Sequence, residues 1–136
     1  MKIEYASIDT AYSYLTENDQ NVPPERIKRK IEQNEILIVE DNGHIIGWLR
    51  FGYFWDMIPI MNMLSLEESF RRKGVGTQLV SYWEREMQGQ GHNSVMTTTL
   101  SDEQAQHFYR KLGYKDVGAL LLPEEALEII FIKYLH

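Results

Sequence analysis

The run Arg71-Arg72-Lys73-Gly74-Val75-Gly76 separates an alternating apolar stretch from an amphipathic helical pattern. A helix starting near Gly74 has a positive N-terminal end, so each cation there is disfavoured by about 0.3–1 kcal/mol. Each of the two glycines costs about 1 kcal/mol relative to alanine in a helical turn, yet lets a ligand approach bare backbone N–H groups. An anion at this point would satisfy both charge and backbone, which describes a phosphate cradle. On these six residues alone a solvated basic surface is an equally good reading, and the flanking sequence has to decide.

On the C-terminal side, Val75, Leu79, Trp83 and Met87 recur every fourth residue with Val80 beside them, a core-facing helical stripe. The stripe stops at Gly89-Gln90-Gly91, and the Thr-rich run Val95 to Leu100 reads as a strand. On the N-terminal side, Ile58 to Leu66 is another strand, with Pro59 at its start or at an irregular edge. Strand, helix and strand make a right-handed βαβ unit with parallel strands. The loop carrying Arg71 to Gly76 then lies at a strand's carboxyl end, where open α/β sheets bind nucleotides.

Further out, Lys2 to Ser7 is a short strand and Thr10 caps a helix through Tyr14 and Leu15. Pro24 suits a first helical position, Ile27 and Ile31 form an apolar stripe, and Arg26, Lys28, Arg29 and Lys30 are the solvated face. Glu35 to Glu40 and His44 to Tyr53 are strands joined by the hairpin signal Asp41-Asn42-Gly43. Ser101 with Gln104 reads as a capping box for a helix whose apolar face is Ala105, Phe108, Tyr109 and Leu112, ended by Gly113. Val117 to Leu122 and Leu127 to Tyr134 pair as a C-terminal hairpin around Pro123 and Glu124.

With 136 residues and 43% hydrophobic content, one domain spanning 1–136 is expected. A formal net charge of −6 argues against a general nucleic-acid binder and makes the basic run at 71–73 a local feature. The absence of cysteine excludes disulfides, thiolate metal sites and an acyl-cysteine intermediate on this chain. His44, His92, His107 and His136 show no ligand spacing, so no metal is expected. No signal region opens the chain and no window approaches the ~18 apolar residues of a membrane span, so a cytoplasmic protein without a membrane partner is expected.

These residues resemble the GNAT superfamily, the Gcn5-related N-acetyltransferases, over nearly the whole chain. The family signature [Q/R]-x-x-G-x-[G/A] is matched by Arg71 to Gly76, its L-x-V strand end by Leu64-Ser65-Leu66, and its N-x-x-A-x-x-x-Y-x-x-x-G-[F/Y] pattern by Asp102, Ala105, Tyr109, Gly113 and Tyr114. The resemblance implies an α/β (α+β) fold, a mixed and centrally splayed sheet flanked by helices in the order β-α-α-β-β-β-α-β-α-β-β. It also implies an acetyl-CoA-dependent N-acetyltransferase that passes an acetyl group to a primary amine, small molecule or peptide, by direct attack in a ternary complex. A homodimer is an assembly the family often adopts.

The family roles carry over residue by residue. Backbone N–H groups from Arg72 to Thr77, helped by Arg71, Arg72 and Lys73, hold the pyrophosphate of acetyl-CoA. The backbone of the Leu64, Ser65, Leu66 segment pairs with the pantetheine arm like an added strand, and an N–H near Leu64 polarises the thioester carbonyl. An alkyl amine of pKa about 10.4 loses a proton at neutral pH at a cost of about 4–5 kcal/mol, and the departing thiol has a pKa near 8.5. Tyr109 stands where many family members keep the acid that protonates the thiolate; on periodicity alone it is a core aromatic.

Two departures stand out. Asp102 replaces an Asn that often contacts the cofactor, and Thr97 replaces a Glu that some relatives use in catalysis, so the general base is unassigned. Tyr53, Phe54, Trp55 and Trp48 are aromatics for an acceptor pocket, with Asp56 attracting the amine, although at strand spacing each also reads as core. Two alternatives keep the fold: a longer acyl-CoA donor, or a catalytically weak acyl-CoA-binding regulatory or interaction module.

Overall fold

Asn42 (φ 52°) and Gly43 (φ 81°) both lie in the left-handed region, the pair of conformations that a two-residue type I′ hairpin requires. They join β2 (Ile36–Asp41) to β3 (His44–Phe54), whose register runs from Asp41↔His44 to Ile36↔Arg50 around a bulge at Val39/Glu40. The structure is a computed structural model and describes residues 1–136. Before this hairpin come β1 (Lys2–Tyr5), α1 (Ile8–Asn18) and α2 (Pro24–Glu32). After it come β4 (Ile58–Leu66), a single 3-10 turn (Glu68–Phe70), α3 (Val75–Gly89), β5 (Ser94–Leu100), α4 (Ala105–Lys111), β6 (Lys115–Leu120) and β7 (Glu128–Tyr134). The seven strands form a mixed sheet in the order β1-β2-β3-β4-β5-β7-β6, with β4 and β5 parallel. This is the mixed α/β class and the element order expected from sequence.

The chain divides into two compact units. The first comprises residues 1–51 and 63–83. All four residues Ile36 to Val39 of β2 are buried, as in a strand covered on both faces. Ile36 and Ile38 point one way and pack with Ala11 and Leu15 of α1, Ile27 and Ile31 of α2, and Trp48. On α3, Val75, Leu79, Val80 and Trp83 are all buried, and the Trp83 ring lies 5.7 Å from Phe51. The stripe read from sequence is therefore the buried face of this helix, each such side chain contributing about 1.5–3 kcal/mol.

Asp19, the C-cap of α1, is fully buried. Its carboxylate accepts from Arg50 Nε at 2.7 Å, Arg50 Nη2 at 3.4 Å and Trp48 Nε1 at 3.3 Å. Trp48 is thus a core residue tied to the end of α1, the alternative that its strand spacing offered.

The second unit comprises residues 52–62 and 84–136. In it β7 pairs antiparallel with β5 along seven residues, from Ser94↔Tyr134 to Leu100↔Glu128, and with β6 on its other side. Tyr114, Phe131, Met61, Met87 and Val95 are buried there. Tyr114 Oη donates to Glu84 at 2.7 Å and Lys133 Nζ to the other oxygen of that carboxylate at 2.9 Å, so the buried phenol and carboxylate are both satisfied.

Two helix starts differ from the sequence reading. Ser7 rather than Thr10 caps α1: the two hydroxyls are 2.6 Å apart and Ser7 Oγ accepts from the Thr10 N–H. The capping box at Ser101 and Gln104 does not form. Gln106 Nε2 instead donates to the Ser101 and Glu103 carbonyls, and α4 begins at Ala105 after an uncapped Gln104. At its other end Gly113 (φ 95°) terminates α4, with Tyr114 N–H donating back to the Tyr109 carbonyl.

Candidate functional site

The turn from Arg71 to Gly74 sits between the 3-10 turn and α3. Arg72 (φ 59°) and Gly74 (φ 83°) are left-handed, and for Arg72 this costs about 1–2 kcal/mol. The first hydrogen bond into the helix is from Gln78 N–H to the Gly74 carbonyl at 3.1 Å. The N–H groups of Val75, Gly76 and Thr77 therefore have no carbonyl a turn earlier to donate to. A Cβ built on Gly74 would meet no atom within 4 Å. Arg71, Arg72, Lys73 and Thr77 are exposed while Val75 is buried and anchors the helix start. Open space over a glycine, unpaired donors, a positive helix end and three cations converge at one point. This geometry fits a phosphate group.

The same turn is tied to the end of β4, since Arg71 Nε donates to the Leu66 carbonyl at 2.9 Å. Gly47 of β3 explains how closely the two strands approach. A Cβ there would lie 2.5 Å from Leu66 Cδ2 and 2.6 Å from the Ser65 carbonyl oxygen. Glu67 N–H donates to the Ile46 carbonyl at 2.8 Å, so by strand alternation the backbone of Ser65 faces β3 and that of Leu64 and Leu66 faces the opposite edge. The Leu66 carbonyl is engaged by Arg71. Leu64 N–H, Leu64 C=O and Leu66 N–H are the groups an added strand would meet.

In the second unit, β4 and β5 pair at Ile60↔Met96 and Met61↔Thr97. Thr97 is buried, and its hydroxyl donates to the Met61 carbonyl at 3.0 Å. Tyr109 of α4 is buried, and its ring packs against Tyr114 (5.7 Å) and Phe131 (6.1 Å). Burial pushes the Tyr109 phenol up to about 12; the Thr97 hydroxyl opposes this and Glu103 adds to it. A phenol so placed keeps its proton at neutral pH, which is the first requirement of an acid. The pairing of Thr97 with Met61 was not legible in the sequence, because it depends on the register of strands 36 residues apart.

Tyr53, Trp55 and Asp56 lie at the β3–β4 connection. Trp55 (φ 56°) and Asp56 (φ 58°) are consecutive left-handed residues closed by Met57 N–H donating to the Phe54 carbonyl at 3.1 Å, a type I′ turn without glycine. Trp55 is 75% exposed and stacks on Phe54 at 4.7 Å, while Tyr53 packs on His92 at 5.7 Å. Asp102 is exposed in the turn before α4 and does not cap it. No group of three or more His, Asp or Glu side chains is arranged to hold a metal ion. No helix is long and apolar enough to cross a membrane.

Comparison with known proteins gives the same fold. Ard1 from Thermoplasma volcanium superposes with a TM-score of 0.83 at 17% identity, covering 99% of this chain and 97% of that one. An aminoglycoside 6′-N-acetyltransferase complexed with coenzyme A superposes at 0.79 with 21% identity, over 98% and 97%. The NatC complex bound to Gag peptide and CoA includes a chain that superposes at 0.82 with 17% identity, each chain fully covered. In sequence, an uncharacterized N-acetyltransferase of Chlorobaculum tepidum is 25% identical over 104 residues, 73% of this chain. The chain spans only 64% of that relative's length. The family model described as "Acetyltransferase (GNAT) family" matches residues 4–114, the stretch that holds the left-handed turn, the end of β4 and Tyr109, and the chain belongs to that family.

Proposed function

We propose that the protein is an acetyl-CoA-dependent N-acetyltransferase that passes the acetyl group to a primary amine by direct attack in a ternary complex. The observation that carries this reading is the left-handed turn at Arg72 and Gly74, with unpaired N–H groups at 75–77 and cations at 71–73, in a chain of this family. Acetyl-CoA is the acyl-donating substrate and supplies the thioester. Arg71, Arg72, Lys73, Gly74, Val75, Gly76 and Thr77 hold its pyrophosphate. The backbone of Leu64 and Leu66, next to Ser65, receives the pantetheine arm, and the Leu64 N–H is the donor for the thioester oxygen. Asp102 is an accessory contact to the cofactor.

Tyr109 is the acid that gives its proton to the departing sulfur. Tyr53, Trp55 and Asp56 belong to acceptor recognition, in which an exposed aromatic and a carboxylate suit a cationic amine. Two structural neighbours frame the acceptor panel, one named for aminoglycosides and one bound to a peptide. Thr97, neutral where some relatives have Glu, favours a second reading as an acyl-CoA-binding module without turnover.

Release of free CoA decides between the two. The protein is incubated with acetyl-CoA, or with longer acyl-CoA donors, and a panel of aminoglycosides, polyamines and peptide N-termini. Amine-dependent CoA release, slowed by Tyr109→Phe with CoA affinity unchanged, is the expected result. Tight CoA binding with no turnover across the panel would replace the enzyme with the module.

A further inference from the structure

We propose that Arg71 is a positioning residue for the pantetheine half of acetyl-CoA, its guanidinium holding the last peptide of β4 so that the Leu64 and Leu66 backbone meets the arm in one fixed register. The inference rests on the reading of the turn and the β4 edge as the donor site, and it gives Arg71 a task that its charge alone would not perform.

The three cations at 71–73 are not equivalent. Lys73 Nζ lies over the Phe70 ring, 5.9 Å from its centroid. Arg72 is exposed and left-handed, and it bends the chain toward the helix. Arg71 reaches back to β4: its Nε donates to the Leu66 carbonyl at 2.9 Å, while its backbone N–H donates to the Glu68 carbonyl at 3.2 Å. Phe70 N–H closes the same turn on the Glu67 carbonyl at 2.9 Å. Arg71 thus grips the segment that precedes it through both side chain and backbone.

The peptide joining Leu66 to Glu67 is consequently held from both edges. Its N–H donates to the Ile46 carbonyl of β3 at 2.8 Å, and its C=O accepts from Arg71 on the other side. Because a peptide is planar, its N–H and C=O turn together, and two bonds on opposite sides stop that turning. The strand therefore stays extended up to Leu66, whose N–H the arm would meet. A guanidinium suits this task, since one N–H of its rigid fork is spent on the carbonyl while its charge stays beside the cradle.

The same bond marks where an added strand ends. Alternation puts the N–H and C=O of Leu64 and of Leu66 on the edge away from β3. Leu64 N–H, Leu64 C=O and Leu66 N–H can serve the amides of the pantetheine arm, and the Leu66 carbonyl is taken. A ladder along this edge stops at Leu66 N–H, and the rest of the donor leaves the strand there. An open Leu66 carbonyl would let the arm pair two residues later, which displaces the thioester from the Leu64 N–H by about 7 Å.

Acetyl-pantetheine, which has the arm and lacks the pyrophosphate, separates positioning from phosphate contact. The isotope-labelled full chain is titrated with acetyl-pantetheine and with CoA while NMR follows the Leu64 and Leu66 amides. Arg71→Ala is expected to weaken both ligands about tenfold, the low end for a hydrogen bond to a charged group. Arg71→Gln, uncharged but still a donor, should restore acetyl-pantetheine, and Arg72→Ala should weaken CoA alone. Unchanged acetyl-pantetheine affinity in Arg71→Ala overturns the proposal and makes Arg71 a phosphate contact only. A loss in Arg71→Gln equal to that in Arg71→Ala overturns it as well. Should neither amide respond when CoA saturates the unmodified protein, the donor-site reading itself falls and the proposal with it, an outcome distinct from either result with the Arg71 variants. If Arg71→Ala does not fold, Arg71→Met, which keeps the stem and drops the donor, serves the same arms.

Discussion

Gly43 and Gly74 offer a matched pair for testing the phosphate cradle. Their φ values are 81° and 83°, and a Cβ on either would meet no atom within 4 Å. Alanine at each position therefore carries the same backbone strain and no clash, about 1–2 kcal/mol. Melting temperature is expected to fall in both variants by roughly 4 °C per kcal/mol. Binding should separate them. At Gly74 the new methyl group enters the open space beside the turn proposed to hold the phosphate. Losing one or two hydrogen bonds to a charged group, about 1.5–3 kcal/mol each, weakens CoA about 10- to 100-fold or more. Isothermal titration with CoA measures this. Acetyl-pantetheine, which lacks the pyrophosphate, is the control ligand and should bind both variants like the unmodified protein. Wild-type CoA affinity in Gly74→Ala, or equal losses in Gly43→Ala and Gly74→Ala, would refute the cradle.

Asp19→Ala leaves Arg50 buried without its carboxylate and is expected to destabilise the fold by about 3–5 kcal/mol; a urea midpoint that barely moves would show that water reaches Arg50. Tyr109 also has a pH signature. Its folded pKa near 12 stands above the ordinary 10.0, so the folded protein keeps a proton that the unfolded chain releases as pH rises past 10. Its contribution is thus complete below pH 10 and lost towards pH 12, amounting to about 1 kcal/mol by pH 11. Urea unfolding at pH 9 and pH 11 should show a smaller alkaline loss in Tyr109→Phe than in the unmodified protein, and identical losses would contradict the burial of this phenol.

Much of the fold was legible because its signals are local. Asn42-Gly43 specifies its hairpin through two residues, and Val75, Leu79, Trp83 and Met87 specify a helix face through one period. Reading failed where two local signals competed. Ser7 and Thr10 are both good caps, and contact between their hydroxyls settles which one serves. At Ser101 the N–H that the expected box would use donates instead to the Leu127 carbonyl at 2.8 Å. Contacts across long stretches of chain left no local trace. Asp19 with Arg50 and Thr97 with Met61 are 31 and 36 residues apart, and only strand register brings them together.

The two sides of the proposed reaction differ in legibility for the same physical reason. Donor recognition is assigned to backbone groups, and backbone must be bare and bent to be reached. That requirement selects glycine at 74, where φ is left-handed and a Cβ would meet no atom within 4 Å. Such choices mark the sequence. Acceptor recognition is assigned to side chains on a hairpin tip, where Trp55 is exposed and the turn tolerates two non-glycine residues at positive φ. The proposed contacts there are made by side chains, so they impose no requirement for bare backbone. It follows that exchanging Trp55 and Asp56 should change which amines are used without moving CoA affinity, whereas Gly74→Ala should weaken CoA without changing which amines are used.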